Sequence, residues 1–179
     1  MLEKYNFSFI VDAWLVYKQK LVKQSTIAIY HTMVKNHLKP AFGAFYEIKE
    51  SDVQQFILTK VKENLKIKTI KDILIVFNMI VKFGVKKYFW RSLAMELDFP
   101  KEEHPSRVNV LNKTEYKKIL TYLKANFNFK NLGILITLQT GLRIGEICAL
   151  TWDDINLEKG IFTIKKNLQR IGSWEDDQV

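Results

Sequence analysis

Cysteine and histidine are both scarce in this 179-residue sequence. Cys148 is the single cysteine, so no disulfide can form within the chain and no thiolate metal cluster can assemble. We expect Cys148 to be a buried structural thiol, because it lies in an apolar helical stretch. The three histidines, at positions 31, 37 and 104, lack metal-ligand spacing. We therefore predict no metal site and no cofactor.

Long hydrophobic runs are also missing. The longest candidate, Leu132 to Leu138, is far shorter than the ~18 consecutive apolar residues of a membrane span. Residues 1–9 lack the cationic segment and apolar run that mark a secretory signal. From these absences we predict a cytoplasmic protein with no membrane partner.

Positive charge is what the sequence has in excess. The chain has 28 Lys+Arg against 19 Asp+Glu, a net charge of +9. Residues 1–100 carry 16 basic and 9 acidic side chains, whereas residues 111–179 carry 10 and 8. This uneven distribution favours a dedicated domain for an anionic partner, with nucleic acid first and an acidic membrane surface second. A lysine-coated surface that serves solubility alone is the simpler alternative.

Hydrophobic periodicity divides the first 99 residues into four helices. The expected N-terminal caps of these helices are Ser8, Ser25, Ser51 and Thr69. Pro40 and Gly43 are expected to end the second helix, and the fourth helix is the longest. We predict a compact four-helix domain over residues 1–99, and we expect the tryptophans to anchor cores at Trp14, Trp90 and Trp152.

The pattern changes after a boundary at Pro100 and Pro105, so we interpret residues 100–110 as a linker. Over residues 111–179 we predict three helices and a β-hairpin. The first helix is expected to open with an Asn112–Glu115 capping box, and the second is a buried segment, Leu132 to Gln139. The third begins near Arg143, and the hairpin joins residues 155–157 to residues 161–165. A lone hairpin is marginal in water, so the chain looks cut short.

The segment TGLRIGEICALTWDDIN, residues 140–156, is the most informative part of the sequence. Arg143 enters at a predicted helix start, and Glu146 follows at i+3 on the same helical face. A guanidinium suits phosphate because it is always charged and offers planar, bidentate donors. A carboxylate one turn away can hold it in a fixed rotamer. Judged on these two residues alone, a weak surface ion pair is the more common explanation.

The whole string resembles the first arginine motif of the tyrosine recombinases, the phage integrase family. The matching positions are Thr140, Gly141, Leu142, Arg143, Gly145, Glu146, Leu150, Trp152, Asp154 and Ile155. Asn156 departs from the pattern, since the family often has aspartate there. The resemblance implies a mainly α fold: a SAM-like core-binding domain over residues 1–99, then an incomplete α+β catalytic domain over residues 111–179.

The activity implied by this resemblance is DNA integration and recombination by metal-independent phosphoryl transfer. A tyrosine attacks a DNA phosphodiester, and two arginines neutralise the charge on the phosphate. Arg143 matches the first arginine, and Glu146 matches the acidic residue that supports it. The active-site lysine, histidine, second arginine and nucleophilic tyrosine are expected beyond Val179, so we expect this chain alone not to cleave DNA. A homotetramer on DNA is implied for the complete protein.

Double-stranded DNA is therefore the predicted partner, and no small-molecule substrate is expected. The candidate DNA-binding residues are Lys23, Ser25, Thr26, Tyr30, His31, Lys35, Lys68, Lys71, Lys82, Lys86 and Lys87. Any one of these lysines is more simply a solvated side chain, and only the group indicates a binding face. Three alternatives stay open: a non-catalytic protein occupying recombination sites, a helical transcriptional regulator and a helical protein-interaction domain.

Overall fold

The structure, a computed structural model, describes residues 5–90, 95–101 and 109–171. Its elements in chain order are α1 (Phe7–Gln19), α2 (Gln24–Met33), a π-helical turn (Val34–Leu38), α3 (Lys39–Phe42), α4 (Glu50–Lys62), α5 (Ile67–Tyr88), α6 (Lys113–Ala125), α7 (Phe129–Thr140), α8 (Ile144–Cys148), a 3-10 turn (Trp152–Asp154), β1 (Ile155–Asn156) and β2 (Ile161–Phe162). The predicted mainly helical fold with a small antiparallel sheet is confirmed.

The chain divides into two compact units, of which the first contains α1 to α5 and the second covers Ser106–Arg170. Most of the predicted linker, together with His104, lies outside the described residues. The boundaries drawn from the sequence at residues 99 and 111 stay a prediction. Among the described residues, no helix combines the length and apolarity needed to cross a membrane.

One apolar core holds the first unit together. Phe7, Phe42 and Phe77 form a three-ring cluster with centroid distances of 5.1–5.9 Å. Helices α1 and α5 approach closely at Gly84, where an added Cβ would lie only 3.0 Å from Ile10 Cγ2. Trp14 is fully buried as expected, and Trp90 packs at the edge of the core. Because α5 is long and contributes side chains along most of this core, the helical segments of the first unit pack into one domain.

The helix starts in the first unit differ from the predictions. Asn6 caps α1 by accepting a hydrogen bond from the Phe9 N–H (3.0 Å). The serine and threonine caps are wrong, because each predicted residue lies inside the first turn: Ser8, Ser25, Ser51 and Thr69. In α1 the reason is tertiary. The backbone N–H groups of Phe7 and Ser8 donate to the carbonyls of Phe45 (2.7 Å) and Gly43 (3.0 Å).

Pro40 does not stop the second helical segment, which continues to Phe42 and ends at Gly43. A π-helical turn directly precedes α3 and resets the hydrogen-bond register. Pro40 thus sits in the first turn of α3, where a missing N–H costs little. The run from α2 to α3 therefore acts as one segment, and four helical segments build the first unit.

The second unit contains the three helices and the hairpin that the sequence predicts. Asn112 Oδ1 accepts from the Thr114 and Glu115 N–H groups (both 2.9 Å), and Glu115 accepts from the Asn112 N–H (2.8 Å). This capping box at the start of α6 is confirmed. In the antiparallel hairpin, Ile155 pairs with Phe162 and Asn156 with Ile161. The predicted hairpin is also confirmed, although each strand has only two residues.

The burial expected in the second unit is largely wrong. Helix α7 has no fully buried residue, Cys148 is exposed, and Trp152 is 75% exposed. Leu123 is the single buried apolar side chain among the described residues of this unit. The physical reason is that α8 and the two-residue strands present too little surface to cover their neighbours.

Candidate nucleic-acid interface

Glu146 holds Arg143 at two points. Arg143 is the N-cap of α8, with an extended backbone, and its N–H donates to Glu146 Oε2 (2.8 Å). The guanidinium Nη1 donates to Glu146 Oε1 (3.3 Å). The arginine side chain is nevertheless 83% exposed, whereas that of Glu146 is 20% exposed. The structure thus brings the two predicted residues together and leaves most of the guanidinium facing solvent.

The charge of Glu146 follows from the same contacts. Its pKa is lowered, first by the Arg143 backbone N–H and also by the guanidinium, and burial opposes this shift only in part. Glu146 is therefore ionised at neutral pH. Because Arg143 is always charged, the pair keeps its attraction throughout the physiological range.

Helix α8 is positioned by its neighbours, because a five-residue helix is not stable by itself. Gly141 has a φ of 71°, a left-handed conformation that ends α7 and turns the chain toward Arg143. Ile147 of α8 packs over Gly133 of α7, where an added Cβ would make an ordinary 3.9 Å contact. The turn at Gly141 thus sets where α8 begins.

Asp154 organises the chain after α8, a role that the sequence analysis missed. Its buried carboxylate accepts from Thr151 Oγ1 (2.6 Å) and the Thr151 N–H (3.2 Å), and Lys166 Nζ lies 3.7 Å away. Hydrogen bonds from Thr151 are the main reason that the pKa of Asp154 is lowered. The Thr-x-x-Asp spacing is a capping-box pattern and could have revealed this contact in advance.

Four candidate lysines share one side of α5. Lys68, Lys71, Lys82 and Lys86 are exposed, and at about 100° per residue they fall within an arc of roughly 60°. We call these four residues the α5 lysine stripe. The stripe extends about 27 Å, at about 1.5 Å per residue. Lys87 is also exposed but lies outside the arc.

The candidates on and near α2 are more varied in their surroundings. Lys23 and Lys35 are exposed, whereas Ser25 and Thr26 are half-buried in the first turn. The Thr26 N–H already donates to the Lys23 carbonyl (2.9 Å), so it does not face a ligand. The two lysines are the members of this group with the exposure expected of a phosphate contact.

Tyr30 and His31 are both half-buried. The Tyr30 ring packs on Trp14 with a centroid distance of 5.1 Å, which makes it a packing residue of the first unit. The pKa of His31 is lowered by burial and then by Lys39. His31 therefore contributes a neutral imidazole at neutral pH, so it is not an added positive charge.

Comparison with known proteins places these two units in a family. The profile described as "Phage integrase, N-terminal SAM-like domain" matches residues 6–61, and the profile "Phage integrase family" matches residues 109–176. The second match includes Arg143, Glu146 and Asp154. No solved structure matches the chain.

Two curated relatives come from Escherichia coli (strain K12). The chain is 24% identical over 176 residues to defective protein IntQ, covering 90% of this chain and 44% of the relative. It is 26% identical over 107 residues to prophage integrase IntR, covering 60% of this chain and 25% of the relative. The chain therefore spans less than half the length of either. With its SAM-like domain followed by an integrase segment that carries the arginine motif, the chain belongs to the phage integrase family.

Proposed function

We propose that this chain is the DNA-gripping and arginine-bearing part of a site-specific tyrosine recombinase. The observation that carries the proposal is the exposed guanidinium of Arg143, fixed by Glu146 within the segment that matches the integrase profile. A guanidinium held in one orientation offers parallel donors to two oxygens of a DNA phosphate. Its partner in this proposal is double-stranded DNA.

In this proposal the first unit binds the phosphate backbone of the duplex. The α5 lysine stripe places four exposed cations along one helix, and surface lysines neutralise backbone phosphates without reading sequence. Exposed Lys23, Lys35 and Lys87 add to the positive charge of this unit. Because these contacts release counterions, the affinity for DNA depends steeply on salt.

At the scissile phosphate, Arg143 stabilises negative charge that develops during strand exchange, and Glu146 keeps the guanidinium in place. Removing one such donor typically costs about 3–4 kcal/mol of transition-state stabilisation. All seven tyrosines of this chain precede Arg143, and none is the nucleophile in this proposal. In this proposal the nucleophile, the remaining catalytic residues and the contacts of a homotetramer are supplied by parts of the recombinase other than the described residues of this chain.

The grip is tested with a matched pair of double variants. We expect Lys82→Gln with Lys86→Gln to weaken duplex binding and to reduce the slope of log affinity against log salt by about 1.8, since each lost phosphate contact contributes about 0.9. The control, Lys117→Gln with Lys118→Gln, removes the same charge from exposed positions on α6. Electrophoretic mobility shifts at several salt concentrations provide the measurement. Equal slopes for the two double variants would contradict the proposed grip.

A second candidate is a DNA-binding protein that occupies recombination sites without cutting them. The name of one relative, defective protein IntQ, favours it. Both candidates bind duplex DNA through the same first unit, so the salt experiment supports either. The encoding reading frame after Val179 discriminates between them.

A further inference from the structure

Residues 163–168, which follow β2, lie against α8, the short helix whose N-cap is Arg143. The Leu168 N–H donates to the Gly145 carbonyl of α8 (2.8 Å). At its other end, the Thr163 N–H donates to the Asp154 carbonyl (2.8 Å). Between these two hydrogen bonds, Lys166 pairs with the Asp154 carboxylate at 3.7 Å. We call residues 163–168 the docked segment.

Gly145 is the position that makes this docking possible. A Cβ at residue 145 would lie 2.6 Å from the backbone oxygen of Leu168 and would overlap the side-chain amide of Asn167. The amide can rotate away, but the oxygen belongs to the backbone of the residue whose N–H donates to Gly145, so relieving the overlap requires a backbone shift at Leu168. Any side chain at this position therefore displaces the docked segment.

The docked segment matters for Arg143 because it contacts α8 beside the arginine. The helix spans five residues, and it also packs against α7, where Ile147 lies close to Gly133. Gly145 lies two residues from Arg143 and one from Glu146, inside the same turn. A displacement of α8 at Gly145 therefore changes the position of the guanidinium directly.

We propose that Gly145 is a positioning residue for phosphate binding. By leaving room for the docked segment, it fixes α8 and thereby the place where Arg143 meets DNA. Asp154 anchors the other end of the docked segment through its carbonyl and carboxylate. This inference rests on the proposed function of Arg143 as a phosphate ligand.

The experiment compares two alanine variants in the full chain. Gly145→Ala introduces the 2.6 Å overlap, whereas the control Gly133→Ala introduces an ordinary 3.9 Å contact within the same unit. We expect Gly145→Ala to abolish the hydrogen-exchange protection of the Leu168 amide, and we expect Gly133→Ala to keep it. In both variants the amides of Tyr116 and Asn126, bonded at the two ends of α6, should stay protected.

Duplex-DNA affinity supplies the second measurement through a double-mutant cycle with Arg143→Ala. We expect Arg143→Ala and Gly145→Ala each to weaken binding about tenfold, as the loss of one charged hydrogen bond does. The combined variant should be no weaker than Arg143→Ala alone. If Gly145→Ala weakened binding only by destabilising the whole unit, its effect would add to that of Arg143→Ala in the combined variant.

The outcomes separate the two proposals. If Arg143→Ala leaves affinity unchanged, the phosphate role of Arg143 is wrong. If Arg143→Ala weakens binding but Gly145→Ala behaves like Gly133→Ala, or if the two effects multiply, the positioning role of Gly145 is wrong and the phosphate role stands. Should Gly145→Ala unfold α6, Leu168→Pro removes the donated N–H at an exposed position without adding a side chain to α8, although its ring also fixes φ at residue 168. It must then reproduce the tenfold loss, and an unchanged affinity overturns the positioning role.

Discussion

Glu146 shows how a single residue can serve two purposes in one turn of chain. One carboxylate oxygen receives the backbone N–H of Arg143, which starts α8, and the other receives the guanidinium, which it orients. The first contact is a helix cap, and the second is a surface ion pair. An ion pair this exposed adds little to the free energy of folding by itself. The cap, however, holds the carboxylate in a position from which it can also bind the guanidinium.

We predict that Glu146 titrates below its ordinary pKa of 4.5. A carboxyl with a lowered pKa stabilises the fold fully above 4.5, and this stabilisation is lost as the pH falls through the lower folded value. Arg143→Ala should raise the pKa only part of the way, because the backbone donor remains. Carboxyl chemical shifts followed by NMR over an acid titration provide the measurement. A midpoint at or above 4.5 in the unchanged protein contradicts the observed geometry.

Asp154, like Glu146, both caps a helical turn and contacts a positively charged side chain. Its pattern with Thr151 is local, yet its carboxylate is buried and also meets Lys166, twelve positions further on. The local motif therefore predicts the cap, whereas the contact with Lys166 depends on the tertiary structure, which brings the chain after β2 back to Asp154.

At the scale of elements, the start of α1 is capped both by a neighbouring side chain and by backbone carbonyls that are distant in sequence. Its first turn receives one side-chain acceptor, Asn6, and two carbonyls from the loop after α3, Gly43 and Phe45. Ser8 has the residue type of a cap but lies within the helix. The start of α1 is therefore set jointly by Asn6 and by tertiary contacts.

Two alanine variants test this account of α1. We expect Asn6→Ala to lower the free energy of unfolding by about 1 kcal/mol, because the Phe9 N–H loses its acceptor. Ser8→Ala should change it by less than about 0.5 kcal/mol, because its helical position favours alanine. Urea unfolding followed by circular dichroism measures both. A larger loss for Ser8→Ala than for Asn6→Ala would restore Ser8 as the cap.

For the whole molecule, the two units differ sharply in how much apolar surface they bury. The large core cluster consists entirely of residues from the first unit, whereas Leu123 alone is buried among the described apolar residues of the second. Burial of apolar side chains is the dominant favourable contribution to folding. The first unit therefore supplies most of the stability of this chain.

We predict that a fragment of residues 1–101 folds without the second unit. It should unfold cooperatively in urea, with a midpoint close to that of the main transition of the full chain. Helical circular dichroism and amide-exchange protection in α5 provide the measurements. A fragment that lacks protection in α5 would show that the domain boundary near residue 100 is misplaced.

Several features were determined by the sequence alone, because they depend on residues within about four positions of one another. The Asn112–Glu115 box, the left-handed turn at Gly141, the Arg143–Glu146 pair and the apolar face of α5 are of this kind. The integrase motif was recognisable for the same reason, since its residues are nearly contiguous. Local hydrogen bonds and helical periodicity leave few alternatives at such positions.

The tertiary structure alone decided which carbonyls accept from the first N–H groups of α1, the exposure of Trp152 and Cys148, and the need for glycine at position 145. Each depends on what lies opposite: a carbonyl some 35 positions away, a surface that too few elements cover, or a segment that returns 23 positions later. No local pattern encodes these partners, because backbone groups of any residue type can provide them. The fold thus decides how the motif of the sequence is held in place.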